Sequence, residues 1–301
     1  MRLEEPGQSS RPIRRLPSWL KRPLPLGDVL IRTRGIVKES RVATVCEEAR
    51  CPNLGECWSR RHATFMILGD RCTRRCRFCA VSTARPDPPD AGEPQRLGEA
   101  VAALGLRHVV ITSVARDDLA DEGAGQFAAC VHAVRARSSV CVVEVLPADF
   151  HARDALLATL CDARPDIYNH NQETVERLSP KIRPQAGYGR SLDVLRKVKR
   201  MLSGGFTKSG LMAGLGETRE ELAQAMRDLR EVGVDILTVG QYLRPSPRHA
   251  PVVRYLPPAE FEEIAAEARA MGFRSVAAAP FVRSSYNARE VFEAIETQRG
   301  A

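Results

Sequence analysis

Aromatic side chains are scarce, 5% of 301 residues, so a protein that stacks on single-stranded nucleic acid would have few platforms for it. No apolar run reaches the ~18 residues that a membrane-spanning helix needs. The opening stretch, MRLEEPGQSSRPIRR, has no apolar core, so no secretory signal is expected and a cytoplasmic location is. No internal repeat appears, and no low-complexity tract beyond a basic opening arm, which leaves out collagen, coiled coil and disordered chains. What remains is an ordinary globular composition, long enough for one large domain or two small ones.

Cysteine is not scarce. There are nine, an odd number, and without a secretory signal a disulfide framework is not expected. Cys130, Cys141 and Cys161 sit among apolar residues and read as small core hydrophobes. The other six crowd one short segment as Cys46-x4-Cys51-x5-Cys57 and Cys72-x3-Cys76-x2-Cys79. Six clustered thiols in a reducing compartment mean metal.

Charge is uneven as well. Residues 1–45 hold ten basic and four acidic residues, a net of +6 out of +8 for the chain. This arm is rich in proline and poor in periodicity, so it reads as an extended segment suited to an acidic partner or to solvent. From residue 64 short apolar runs alternate with amphipathic stretches. Strands are expected at 64–68, 108–112, 140–146, 166–169, 207–212, 236–240 and 274–278. Helices are expected at 97–104, 126–136, 153–163, 192–202, 219–232 and 259–271. Such alternation argues parallel strands with crossover helices, in a partial β/α barrel or a doubly wound sheet. Polar stretches mostly follow strands, where α/β barrels build their chemistry.

Each cysteine trio lacks a fourth cysteine. A structural zinc site wants four protein ligands, whereas three thiolates suit three corners of an iron–sulfur cubane and leave one iron open. The amino and carboxylate groups of S-adenosylmethionine would suit that iron, with Phe78 beside its adenine. Two trios of different spacing point to two clusters. Asp117 and Asp118 could be read as an acid–base pair, but turn capping or a salt bridge to Arg116 accounts for them. The glycine-rich 207–218 lacks the ending of a phosphate loop.

The segments CEEARCPNLGECW (46–58) and GDRCTRRCRFCAV (69–81) resemble the two signature segments of lipoyl synthases, which are radical S-adenosylmethionine enzymes. The resemblance continues through TSVARDDL (112–119), NHNQET (169–174), RLSPKIRP (177–184), TKSGLMAGLGET (207–218) and RSSY (283–286). The chain departs from the family at Ala120, at the AAAP of 277–280 and at Asn287. With the resemblance, the expected fold is an α/β partial (β/α)6 TIM-like barrel over 63–280. An extension, 1–62, carries an auxiliary cluster loop, and a C-terminal tail, 281–301, closes over it.

The resemblance implies two [4Fe-4S] clusters and S-adenosylmethionine. Cys72, Cys76 and Cys79 would hold the cluster that cleaves S-adenosylmethionine. Cys46, Cys51 and Cys57, with Ser285 on the fourth iron, would hold an auxiliary cluster that donates sulfur. A hard alkoxide is an exchangeable ligand, which suits a cluster meant to be dismantled. The implied reaction inserts sulfur at C6 and C8 of a protein-bound octanoyl-lysine. Thr112, Ser113, Asn169 and Glu173 are candidate S-adenosylmethionine contacts and Arg283 a substrate contact, although polar rim residues often only shape a rim. Implied partners are acidic octanoylated lipoyl carrier domains, an electron donor such as ferredoxin or flavodoxin, and an iron–sulfur carrier. The competing readings are a biotin synthase-like enzyme or methylthiotransferase, and a zinc-stabilised nucleic-acid binder. The six-cysteine spacing and RSSY discriminate against both.

Overall fold

The computed structural model describes residues 16–21, 27–60 and 62–285. Seven parallel strands form one sheet in chain order: β1 (Thr64–Ile67), β2 (His108–Ser113), β3 (Val142–Leu146), β4 (Ile167–Asn169), β5 (Phe206–Ala213), β6 (Ile236–Gln241) and β7 (Ser275–Ala279). Ahead of them lies α1 (Asp28–Ser40). Between successive strands run α2 (Glu93–Leu104), α3 (Ala124–Arg137), α4 (Asp154–Asp162), α5 (Tyr188–Met201), α6 (Arg219–Glu231) and α7 (Pro258–Ala270). A doubly wound sheet needs a reversal of strand order. None occurs, and among the described residues β7 does not pair with β1, so the barrel is partial and open.

Burial explains why these segments fold as they do. Leu222, Ala223, Ala225, Met226 and Leu229 share one face of α6, and Thr218 and Glu221 close a capping box at its start. On β6 all six residues are buried, as a strand covered by helices on one side and barrel interior on the other requires. In α2, a Cβ at Gly98 would lie 2.8 Å from the Ala133 carbonyl oxygen, so only glycine allows α2 and α3 to approach this closely. Cys130, Cys141 and Cys161 are buried, as their apolar neighbours indicate, and burial pushes each thiol up.

Inside the barrel, Val142, Ile167, Phe206, Ile236 and Ala277 make an apolar floor. Two residues further along their strands, Glu144, Asn169 and Lys208 share the same face and form a buried polar layer. The Lys208 ammonium donates to both Glu144 oxygens, at 2.9 and 3.0 Å, Asn169 Nδ2 donates to Oε1 at 2.8 Å, and His108 Nε2 lies 3.3 Å from Oε2. Burial alone would raise the Glu144 carboxyl, but Lys208 and then His108 hold it at about 2.

One sequence expectation is corrected. The basic arm is not extended throughout, because residues 28–40 are the helix α1. Its periodicity is weak because only Thr33 and Val37, one turn apart, are buried. The short strand Ala43–Thr44 then pairs antiparallel with β1, tying the extension to the sheet edge. Arg2, Arg11, Arg14, Arg15 and Arg22 of the arm lie outside the described residues, as do Tyr286 and Asn287.

Candidate active site

The loop after β1 is held from several sides. Arg74, 5% exposed at its side chain, forks onto Asp117 and reaches Asp149 at 2.7 Å. Thr73 N donates to the Ala115 carbonyl, Arg77 N to that of Ile182, and Arg75 N to Gln185 Oε1. His249 Nε2 lies 2.9 Å from the Cys79 carbonyl oxygen. Cys72 Sγ accepts backbone N–H groups from Arg74 and Ala115, at 3.4 and 3.3 Å. Burial pushes the Cys76 thiol up to about 11, against the Arg183 guanidinium, and that of Cys79 up to about 12. Both thiols lie close enough to Cys72 and Glu173 to feel their charge. The three cysteines are therefore brought together with Glu173 and Arg183. Asp117 pairs with Arg74 and Asp118 with Arg116, so neither stands as an acid–base dyad.

Beyond β4 the chain continues with alternating polar residues. Glu173 sits at φ +65°, a left-handed conformation that is strained for glutamate. Its N–H donates to the Gly210 carbonyl and its own carbonyl accepts from Met212 N, both at 2.8 Å, so pairing with β5 fixes the bend. Burial raises the Glu173 carboxyl, opposed by Arg183. Asn171 Nδ2 donates to Glu173 Oε1 at 3.0 Å and to Ser284 Oγ at 3.2 Å. Asn171 Oδ1 is buried and has no hydrogen-bond partner in the protein.

The other candidates fall in different places. Asn169 lies below the rim, its amide committed to Glu144. The Thr112 hydroxyl donates to the Leu146 carbonyl at 2.8 Å, bracing β2 against β3. Ser113 ends β2, half-buried, and Phe78 packs against the apolar cluster under α5 and α6.

The second trio sits elsewhere. Cys46, Cys51 and Cys57 line a solvent-open cavity together with Ser285, Arg283, His62, Thr64 and His108. Thr64 and His108 begin β1 and β2, so this cavity lies at the open seam of the barrel, towards the start of the strands. A C-terminal rim, where chemistry was expected from strand ends, holds only the first trio. Trp58, fully buried, anchors the loop, and its carbonyl accepts from Thr33 of α1 at 3.0 Å. The far wall arrives from beyond β7: Asn53 Nδ2 donates to the Phe281 carbonyl at 2.7 Å. A Cβ on Gly240 would meet the Val282 carbonyl oxygen at 2.0 Å, so glycine there lets the segment return over the sheet. Burial pushes Cys46 up to about 11 and Cys57 up to about 12.

Residues 66–229 match the Radical SAM superfamily, and residues 4–51 match the N-terminal domain of lipoyl synthase of that family. A lipoyl synthase of Rubrobacter xylanophilus is 54% identical over 285 residues, covering 95% of this chain and 88% of that protein. The chain belongs to the lipoyl synthase family. It is a radical S-adenosylmethionine enzyme, and its superfamily uses a four-iron cluster with S-adenosylmethionine. In fold it resembles methylornithine synthase, at TM-score 0.52 and 18% identity, over 63% of this chain and 56% of that one. It also resembles the FeFe-hydrogenase maturase HydG of Carboxydothermus hydrogenoformans, at TM-score 0.56 and 14% identity, over 82% and 64% respectively. It thus spans about six-tenths of the length of those two solved chains, and the likeness is one of fold alone.

For a lipoyl synthase the donor chemistry fits. Around Cys72, Cys76 and Cys79 stand N–H groups turned to sulfur, a carboxyl at Glu173 and an unsatisfied acceptor at Asn171. A bound ligand's amine or hydroxyl would satisfy that acceptor, whose isolation otherwise costs about 1–3 kcal/mol. Asn171 and Ser284 were missed in the sequence. For Asn171 the signal was period-two spacing: Asn169, Asn171 and Glu173 alternate with outward residues in NHNQET. Lys208, Glu144 and His108 were missed because each lay inside an apparently apolar strand. Among the described residues no helix is long and apolar enough to cross a membrane.

Proposed function

We propose that this lipoyl synthase inserts sulfur at C6 and C8 of a protein-bound octanoyl-lysine and uses two four-iron clusters to do so. The observation that carries this reading is the convergence of Cys46, Cys51, Cys57 and Ser285 on one cavity. That set offers three soft ligands and one hard, exchangeable ligand. Cys72, Cys76 and Cys79 would hold the first cluster, which with S-adenosylmethionine supplies a carbon radical able to take hydrogen from an unactivated carbon. The second cluster, in the seam, would supply the sulfur.

The chain's own residues then bind, orient and exclude water. Glu173 and Asn171 offer acceptors to ligand hydroxyl and amine groups, and Arg183 balances charge behind Cys76. Phe78 presents an apolar surface for an adenine. Ser113 ends its strand at the same rim, while Thr112 and Asn169 keep the strands beneath in register. Arg283, near Glu173 and lining the seam cavity, is suited to orient the substrate between the two centres.

The chain divides functionally into an extension with the auxiliary loop (1–62), the barrel (63–280) and a closing tail (281–301). The basic arm suits an acidic octanoylated carrier domain. An electron donor such as ferredoxin or flavodoxin, an iron–sulfur carrier and a cytoplasmic location complete the reading. Nucleic acid is not a partner in it.

Anaerobically reconstituted protein, given S-adenosylmethionine, a reductant and an octanoylated carrier, is expected to yield lipoyl carrier by mass spectrometry. A colourless preparation holding stoichiometric zinc would overturn the reading, because zinc's filled d shell gives no colour. Ser285→Cys is expected to keep its iron but lose most of its sulfur transfer, since thiolate leaves iron less readily than alkoxide. Full turnover by that variant, measured beside its iron content, removes the exchangeable-ligand argument.

A further inference from the structure

Three segments meet on the outer side of the first thiol trio: 73–79, 181–186 and 243–250. Hydrogen bonds join them directly. Arg77 N donates to the Ile182 carbonyl, and Arg75 N donates to Gln185 Oε1, each at 2.8 Å. Ala250 N donates to the Arg77 carbonyl, also at 2.8 Å, and His249 Nε2 lies 2.9 Å from the Cys79 carbonyl oxygen.

Their composition is one-sided. Together they carry six arginines and a lysine, and no aspartate or glutamate. Arg74 and Arg183 are buried and belong to the site behind the loop. The other five, Arg75, Arg77, Lys181, Arg244 and Arg248, are exposed. None of the five has a carboxylate within ion-pair distance among the described residues; Arg244 instead donates to the carbonyls of Pro247 and His249. Unpaired like charges held together on a rigid surface repel one another, so the arrangement is unfavourable for folding and favourable for an acidic partner.

The chemistry next to this surface identifies the partner. Reductive cleavage of the S-adenosylmethionine sulfonium breaks its S–C5′ bond with one electron, leaving methionine and a carbon radical. The protein has no store of such electrons beyond its clusters, so a reductant must lose one electron from outside at each cleavage. The five cations stand on the cysteine loop itself and on the two segments bonded to it. The seam cavity that would meet the octanoyl carbons is built from other segments.

We propose that this face docks a small, acidic, low-potential one-electron carrier protein, seated over the Cys76–Cys79 turn. The proposal rests on the function argued above. It deepens that reading by giving the electron its point of entry. Complementary charge of this kind acts mainly on encounter, and salt screens it over roughly 8 Å at physiological ionic strength.

The test uses full-length, anaerobically reconstituted enzyme in which Arg75, Lys181 and Arg248 are changed together to glutamate. 5′-Deoxyadenosine formation is measured with reduced flavodoxin and, separately, with dithionite, across a salt series. With flavodoxin, kcat/KM for the carrier is expected to fall about tenfold or more at low salt and to lose its salt dependence. With dithionite, which needs no docking surface, the rate is expected to stay within about twofold of wild type, the measurement that also reports an intact site. Equal losses with both reductants would overturn the proposal, placing the cations in the site's own architecture. An unchanged flavodoxin rate would overturn it too. So would a dithionite-driven reaction in which only KM for the octanoylated domain rises, which would make this the substrate's face. If wild-type enzyme forms no 5′-deoxyadenosine even with dithionite, it is the functional reading that fails, and that outcome is separate.

Discussion

Cys76→Ala is expected to abolish 5′-deoxyadenosine formation, whereas Cys51→Ala is expected to retain it and to yield no lipoyl product. The two thiols lie in different centres. Cys76 neighbours Cys72, Glu173 and Arg183 at the rim, while Cys51 lines the seam cavity with Cys46, Cys57 and Ser285. Removing one of three protein ligands leaves too few to hold a cubane with an open iron. Loss at the rim therefore removes cleavage and everything after it. Loss at the seam removes only the sulfur source, because the two trios stand on different loops. The measurement is 5′-deoxyadenosine and lipoyl carrier quantified in the same reaction, with iron content and circular dichroism to show that each variant is folded. Equal loss of cleavage in both folded variants would mean that the two trios do not divide the work.

The second large effect is expected inside the barrel. Lys208→Met leaves Glu144, with 0% of its surface exposed, facing only Asn169 and the weaker partner His108. Breaking a buried ion pair from one side typically costs about 3–5 kcal/mol. That is a large share of the roughly 5–15 kcal/mol that holds an ordinary domain folded. Lys208→Met should therefore lower the unfolding midpoint by several degrees, and Lys208→Met with Glu144→Gln should recover most of the loss. The same pair has a pH signature. Glu144 is depressed from 4.5 to about 2, so its stabilisation is complete above pH ~4.5 and is lost as pH falls towards 2. Glu144→Gln should flatten stability across that window, as read by urea midpoints between pH 5 and 3. If the single and double variants are equally destabilised, Lys208 acts through packing and the charge is incidental.

This layer also bears on the chemistry. A charged pair lies between the apolar floor and the rim, so the barrel interior is polar above its floor. His108 touches both sides of this arrangement, since it lies 3.3 Å from Glu144 and lines the seam cavity. Sequence reasoning had no reason to select it, because a histidine opening an apolar strand carries no spacing signal.

All seven parallel strands and all six crossover helices were legible in the sequence, with boundaries displaced by a few residues at most. The reason is that all the strands but the half-buried β7 are buried on both faces and each helix on one, so periodicity records the burial. The two cysteine trios were legible too, since the members of each lie close in sequence. The amino acids alone therefore determined the order of strands and helices and, through the signature segments, the family. Tertiary structure alone decided three things. It excluded the doubly wound sheet, because strand order is a property of long-range pairing and leaves no local pattern. It turned part of the basic arm into α1, because that helix is held by Thr33, Val37 and the buried Trp58 rather than by its own periodicity. It placed the second trio at the seam with Ser285, more than two hundred residues away along the chain, because only the curvature of the whole sheet brings residues 46–57 and 281–285 to one cavity. Contacts between distant segments depend on the packed shape of everything between them, and no window of sequence contains that shape.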